Sequence, residues 1–179
     1  MKNGKYLIAV DLQKDFIDGA LGTGEALAIV PAVCTRIREC REAGYTIIAT
    51  LDTHEDNYME TREGKRLPVP HCIRNTEGWR IRPEVAEALG RDALLVEKPT
   101  FGSVRLPQII RDTSGGDDPE VIELLGLCTD ICVVSNALLL KAAFPETEFT
   151  VHADCCAGVT PAKHEAALET MRSCQISVI

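Results

Sequence analysis

The segment Gly126-Leu127-Cys128-Thr129-Asp130-Ile131-Cys132-Val133 holds the chain's best candidate nucleophile. Cys132 stands after an apolar, strand-like run and at the start of a helical pattern. Thr129 or Asp130 is the natural N-cap, which puts Cys132 in the first helical turn. There the helix dipole is expected to favour thiolate over thiol. Cys128 competes as nucleophile, but it falls in the strand-to-helix turn, before that field is useful. The ordinary alternative for Cys132 is a cysteine packed against a sheet, because free Cys is among the most buried residue types. Asp11 closes another apolar run and Lys98 a third. Taken singly, they read as a turn acid and a solvated lysine. With Cys132 they supply a nucleophile, a carboxylate to take its proton and an ammonium to stabilise the resulting charge.

A second constellation follows. Asp52-Thr53-His54 puts two ligand-type side chains two residues apart, so in extended backbone they point the same way. Glu60, Glu63 and His71 come next. Asp, His, Glu and His make a mixed oxygen and nitrogen set that suits Zn, Mn or Fe. The alternative is that Asp52 and His54 are loop residues bonded to backbone.

These residues need a scaffold, and the apolar pattern supplies one. Strands are expected at Tyr6 to Val10, Thr46 to Leu51, Ala93 to Val96, Val121 to Leu125 and Phe149 to Val151, with a sixth at Gln175 to Ile179. The runs are continuous rather than alternating, which indicates burial on both faces. Helices are expected at Ala26 to Ala43, Pro83 to Leu89, Leu106 to Arg111, Asp130 to Ala143 and Pro161 to Met171. Gly44 suits a helix stop and Pro161 a first-turn proline. Strand alternating with helix predicts a three-layer α/β sandwich around a mostly parallel, six-stranded, Rossmann-like sheet. In such a sheet the site lies beyond the carboxyl ends of the strands. Asp11, Asp52, His54, Lys98 and the stretch from Gly126 to Cys132 all fall there. Asp52 to Ile81 breaks the rhythm as a long polar loop containing Trp79 and two of the four His. Loops of that length are usually functional or disordered.

The 179 residues predict one domain, 1–179, with a metal and substrate loop at about 52–81. An apolar fraction of 45% excludes a disordered chain, and the 13 Gly show no collagen period. No apolar run reaches membrane-spanning length: Ile131 to Phe144 is interrupted by Ser135, Asn136 and Lys141. Met1 to Val10 reads as a first strand rather than a signal peptide. The net charge of −8 argues against a nucleic-acid partner. Eight Cys without a leader or a C-x-x-C pair point to a reducing, cytoplasmic setting in which most are small buried hydrophobes.

Four segments carry a family resemblance: Ala9-Val10-Asp11-Leu12-Gln13-Lys14-Asp15-Phe16, Thr50-Leu51-Asp52-Thr53-His54, Glu97-Lys98-Pro99-Thr100-Phe101 and Gly126 to Val133. In this order, at strand ends, they resemble the isochorismatase-like cysteine hydrolases, and among them the nicotinamidases. The resemblance covers nearly the whole chain. It implies a catalytic Asp11–Lys98–Cys132 triad. It also implies an oxyanion hole from the backbone N–H groups of Cys128 and Cys132, and a cis Leu127–Cys128 peptide. It also implies a metal site, whose ligands carry over onto Asp52, His54 and His71. The fourth ligand varies within the family; Glu63 is expected, with Glu60 one turn's spacing away as the alternative. The metal is expected to be divalent, zinc first, with Mn or Fe as alternatives. One departure stands out. Some nicotinamidases place a Trp three residues before the last His ligand, where this chain has Pro68, which leaves Phe16 and Phe101 to hold the substrate ring.

The implied activity is hydrolysis of nicotinamide to nicotinate and ammonia, a step of NAD salvage, through a thioester. The rivals are an amidase for another small amide, such as a carbamoyl or ureido compound, and a non-catalytic metal- or ligand-binding module on the same fold. The expected partners are a small-molecule amide and further copies of this chain, with no membrane.

Overall fold

The computed structural model describes residues 4–179. Residues 1–3, part of the N-terminal stretch weighed as a leader, lie outside it. Six strands form one sheet: β1 (Lys5–Val10), β2 (Thr46–Asp52), β3 (Leu94–Lys98), β4 (Val121–Leu127), β5 (Glu148–Ala157) and β6 (Ser177–Val178). Their spatial order is β3-β2-β1-β4-β5-β6, and every pairing is parallel. The chain winds outwards from β1 in one direction and from β4 in the other. Right-handed crossovers running in opposite directions place their helices on opposite faces. One face carries α3 (Val30–Glu42) and α5 (Pro83–Leu89), and the other carries α6 (Leu106–Ser114), α7 (Val134–Ala143) and α8 (Pro161–Ser173).

Continuous apolar runs give the central strands two buried faces. From Tyr6 to Val10 every residue of β1 is buried, and so is every residue of β4 from Ile122 to Leu127. The edge strand β3 departs from that expectation: Leu95 and Glu97 face outwards while Val96 and Lys98 are buried. An edge strand has no neighbour to support a helix over its outer half, so its pattern alternates. Six of the eight Cys are buried, Cys174 is exposed, and all eight are free thiols. No helix among the described residues is long and apolar enough to cross a membrane.

Two helical expectations are corrected. After the short α1 (Lys14–Ile17), the run read as Ala26 to Ala43 is split at Ile29 into α2 (Gly24–Ala28) and α3, because Pro31 must stand at a helix start. The run read from Asp130 begins as a π-helical turn, Thr129–Val133, before α7. Its cap is Cys128, without a side-chain cap bond, rather than Thr129 or Asp130. Both expected caps have other work. The Thr129 hydroxyl meets His164, and Asp130 Oδ1 accepts the Val159 N–H.

Candidate functional site

The order reversal between β1 and β4 opens a crevice at their carboxyl ends, where such sheets place their sites. Gly126 permits the close approach, for a Cβ there would meet the Val10 carbonyl oxygen at 2.1 Å. Beyond β1, Asp11 takes a left-handed backbone conformation with φ 48°, which Asp tolerates better than most residues. Its N–H donates to the Thr50 carbonyl, and the Thr50 hydroxyl donates to Asp11 Oδ1 at 2.7 Å. The turn thus aims Oδ2 into the crevice. The Leu127–Cys128 peptide is cis.

The structure brings Asp11, Lys98 and Cys132 together. Lys98 Nζ lies 2.6 Å from Asp11 Oδ2 and 3.5 Å from Cys132 Sγ. It also donates to the Thr100 carbonyl at 3.0 Å and approaches Asp52 Oδ1 at 3.4 Å. Asp11 is 0% and Lys98 1% exposed, so Lys98 is not the solvated lysine its sequence position allowed. Burial alone would lower the Lys98 pKa, but the charges of Asp11 and Asp52 and the bond to Asp11 reverse this and raise it, keeping the ammonium protonated. Asp11 Oδ2 meets Lys98 outside regular hydrogen-bond angles and is the buried side-chain acceptor left without a regular donor among the described residues.

Cys132 corrects one expectation. Its thiol pKa is raised well above the ordinary value, first by burial and then by the Asp11 charge, and Lys98 only partly offsets this. The resting sulfur therefore carries its proton, and the helix start does not produce a standing thiolate. Burial also raises the Asp11 carboxyl, against the lowering effect of Lys98. A carboxylate with a raised pKa is a stronger base than an ordinary Asp, which suits it to take the thiol proton.

The second constellation also converges. One ligand atom from each of Asp52, His54, Glu63 and His71 lies within 4.8 Å of all the others. His54 Nε2 is 3.0 Å from Asp52 Oδ2 and 3.7 Å from Glu63 Oε1. His71 Nε2 is 3.5 Å and 3.8 Å from the same two oxygens. Two imidazole nitrogens and two carboxylate oxygens facing a common point are the donor set of a divalent transition metal such as zinc. His71 Nδ1 pairs with the Val69 carbonyl at 2.8 Å, which fixes the tautomer with Nε2 free to ligate. The four residues therefore fit a metal. Glu63 is carried inwards on a short helix, α4 (Arg62–Arg66), capped by Thr61, whereas Glu60 is exposed and stands outside the cluster.

Several positioning residues escaped the sequence reading. Buried Gln13 brackets Asp52: its Oε1 accepts the Asp52 N–H and its Nε2 donates to the Asp52 carbonyl, both at 2.8 Å. Asp15 accepts the Cys72 N–H at 2.7 Å and so anchors the turn beside His71. The Tyr58 ring packs against His54 and His71, with centroids 4.7 and 5.1 Å away. Asn136 donates to the Cys132 carbonyl at 2.8 Å while its Oδ1 accepts the Ser103 N–H, tying the nucleophile to the loop that holds Phe101. A polar residue next to an apolar run was the only signal for these, and it does not name a partner. Trp79 serves the scaffold: its indole donates to Thr53 Oγ1 at 2.9 Å.

A cavity of about 290 Å³ joins the two constellations. Cys132, Cys128, Asp52, Glu63 and His71 contribute to its wall, and so do Phe16 and Phe101. Phe16 is buried edge-on to His71, with centroids 5.5 Å apart, while Phe101 is partly exposed at the mouth.

The fold is a doubly wound α/β domain with a Cys-centred crevice at its switch point, and residues 5–179 match the family described as Isochorismatase domain. The chain belongs to the isochorismatase family. It is 27% identical to the nicotinamidase of Escherichia coli (strain K12), with 91% of this chain and 87% of that protein covered. It is 25% identical to the nicotinamidase/pyrazinamidase of Mycobacterium tuberculosis, with 98% of each covered. The crystal structure of the pyrazinamidase of Pyrococcus horikoshii in complex with zinc is similar at TM-score 0.84 and 31% identity, with 98% of both chains covered.

Proposed function

We propose that this isochorismatase-family amidohydrolase converts nicotinamide to nicotinate and ammonia through a thioester on Cys132. One observation carries the reading: Cys132 lines the same cavity as three of the four donors, Asp52, Glu63 and His71, and Lys98 contacts both Asp11 and Asp52. The similarity to nicotinamidases supports it.

In this mechanism Cys132 gives its proton to Asp11 Oδ2, and the sulfur attacks the amide carbonyl carbon. Lys98 lies close to both atoms that exchange the proton, so its charge offsets whichever becomes negative. The backbone N–H groups of Cys128 and Cys132 donate to the oxyanion; each such donor is worth about 3 kcal/mol. Asp11 passes the proton to the amide nitrogen, the C–N bond breaks and ammonia leaves. Water then attacks the thioester while Asp11 takes its proton; the C–S bond breaks and the proton returns to sulfur. Phe16 and Phe101 hold the ring in place of the Trp that Pro68 replaces. Asp52, His54, Glu63 and His71 would hold a divalent cation, zinc in this reading, which would offer a Lewis-acid anchor for the pyridine nitrogen.

Ammonia release from nicotinamide and benzamide, with zinc-loaded and metal-stripped protein, tests the proposal. Benzamide has the same shape without the ring nitrogen. The loaded protein should strongly prefer nicotinamide. Stripping should impair that turnover by several kcal/mol of lost positioning, of the order effective molarity supplies, while iodoacetamide still labels Cys132. Equal hydrolysis of both amides by stripped protein would instead favour the carbamoyl or ureido amidase.

A further inference from the structure

We propose that His164, on α8 and outside the cavity wall, is a positioning residue that fixes the oxyanion-binding end of the Cys128–Cys132 turn. The proposal rests on the amide-hydrolysis reading of this site. His164 Nδ1 lies 2.8 Å from the hydroxyl of Thr129, whose side chain is fully buried. Thr129 directly follows Cys128, so this contact grips the turn at the end that carries the Cys128 N–H. The other end has its own restraint, because Asn136 holds the Cys132 carbonyl at 2.8 Å. The two ends of the nucleophile turn are thus tied to different elements, the Cys128–Thr129 end to α8 and the Cys132 end to α7.

The approach to α8 reinforces the first tie. Asp130 Oδ1 accepts the Val159 N–H at 2.9 Å, beside the start of α8. Gly158 sits so close that a Cβ there would meet the His164 backbone nitrogen at 2.8 Å and Asp130 Oδ1 at 2.9 Å. This segment, 158–164, is therefore clamped onto the turn, and His164 provides its one side-chain grip on Thr129. A π-helical turn is a locally irregular winding often found at functional sites, and side-chain bonds from outside hold its shape. Because a hydroxyl both donates and accepts, the contact suits either imidazole tautomer. Only a hydrogen-bonding atom at that point is needed, and an Asn amide can replace it.

Losing this contact releases the oxyanion end and leaves the sulfur in place beside Asp11 and Lys98. The consequence is a split that general loss of structure does not produce. In His164→Leu, and independently in Thr129→Val, kcat should fall by about 10- to 100-fold, the cost of displacing a positioned group, with KM little changed. The rate of Cys132 alkylation by iodoacetamide should match that of the wild type. His164→Asn should recover most of kcat, and the double variant His164→Leu/Thr129→Val should be no worse than either single one. Turnover is read on whichever amide the wild-type protein hydrolyses fastest in a panel that includes nicotinamide. Failure on nicotinamide alone thus counts against the substrate assignment and not against this role. Unchanged kcat in both single variants overturns the proposal. So does an Asn variant as impaired as the Leu variant, which would give the imidazole a chemical part, and so does a parallel loss of alkylation.

Discussion

Cys132 and Cys128 occupy the same turn and line the same cavity, yet the mechanism asks different things of them. Cys132 supplies a side-chain sulfur, while Cys128 supplies only a backbone N–H. Burial and the nearby Asp130 charge push the Cys128 thiol up to about 12, and it is the Cys132 sulfur that Lys98 Nζ reaches, at 3.5 Å. Cys132→Ala should abolish ammonia release with the circular dichroism unchanged, whereas Cys128→Ala should keep activity within about threefold, a loss well under 1 kcal/mol. Loss of activity in both variants would remove this division of labour. The same scale separates the two glutamates. Glu63→Ala should lower zinc affinity by at least the roughly 10- to 100-fold that loss of a mere partner of a ligand causes, and Glu60→Ala should leave it unchanged, as read by metal analysis after dialysis against a graded chelator. The reverse ranking would move the fourth ligand to Glu60.

At the scale of elements, the segment after β2 works only because distant pieces hold it. Gln13 and Asp15 come from the first connection of the chain, yet they fix Asp52 and the Cys72 turn beside His71. Gly78 lies against Asp15; a Cβ there would fall 2.2 Å from both carboxylate oxygens. The Asp15 side chain cannot simply swing away without giving up the Cys72 N–H. Gly78→Ala should therefore destabilise the fold by about 1–3 kcal/mol, the usual cost of overpacking, and weaken metal binding although residue 78 ligates nothing. Urea unfolding and zinc titration on the same variant check both effects. A variant with wild-type metal affinity would show that Asp15 does not govern the His71 turn.

At the scale of the molecule, a buried charge cluster far from the cavity joins the two halves of the sheet. Glu123 on β4 accepts from Arg36 of α3 at 2.5 Å and Tyr45 at 2.8 Å, and lies 2.6 Å from His152 of β5. Burial would raise the Glu123 pKa, but the bonds from His152, Arg36 and Tyr45 outweigh it and hold the carboxyl at about 2, below its ordinary 4.5. A depressed carboxylate stabilises the fold above the unfolded-state value and loses that stabilisation as the pH falls through the folded one. The contribution should therefore be complete above about pH 4.5 and vanish towards pH 2. Glu123→Gln should lower Tm near neutral pH and make its fall across this acid range shallower than in the wild type. Parallel Tm–pH curves for the two proteins would show that Glu123 carries no such linkage.

Much of this was legible along the chain. Six apolar runs alternating with helical patterns indicated six strands, their mostly parallel pairing and the end of the sheet at which Asp11, Asp52, Lys98 and Gly126 stand. Residue types marked Asp11, Lys98, Cys132, Asp52, His54, Glu63 and His71 only as candidates, and it was the family resemblance that implied their roles. What a linear pattern cannot hold is any quantity set by residues far apart in sequence. The split of the first long helix, the π-helical start of the Cys132 helix and the inward turn of Glu63 depend on local packing. The protonated state of Cys132 is of the same kind. The helix start and Lys98 favour thiolate, but desolvation and the Asp11 charge oppose them, and only the burial reached in the folded molecule decides which is stronger.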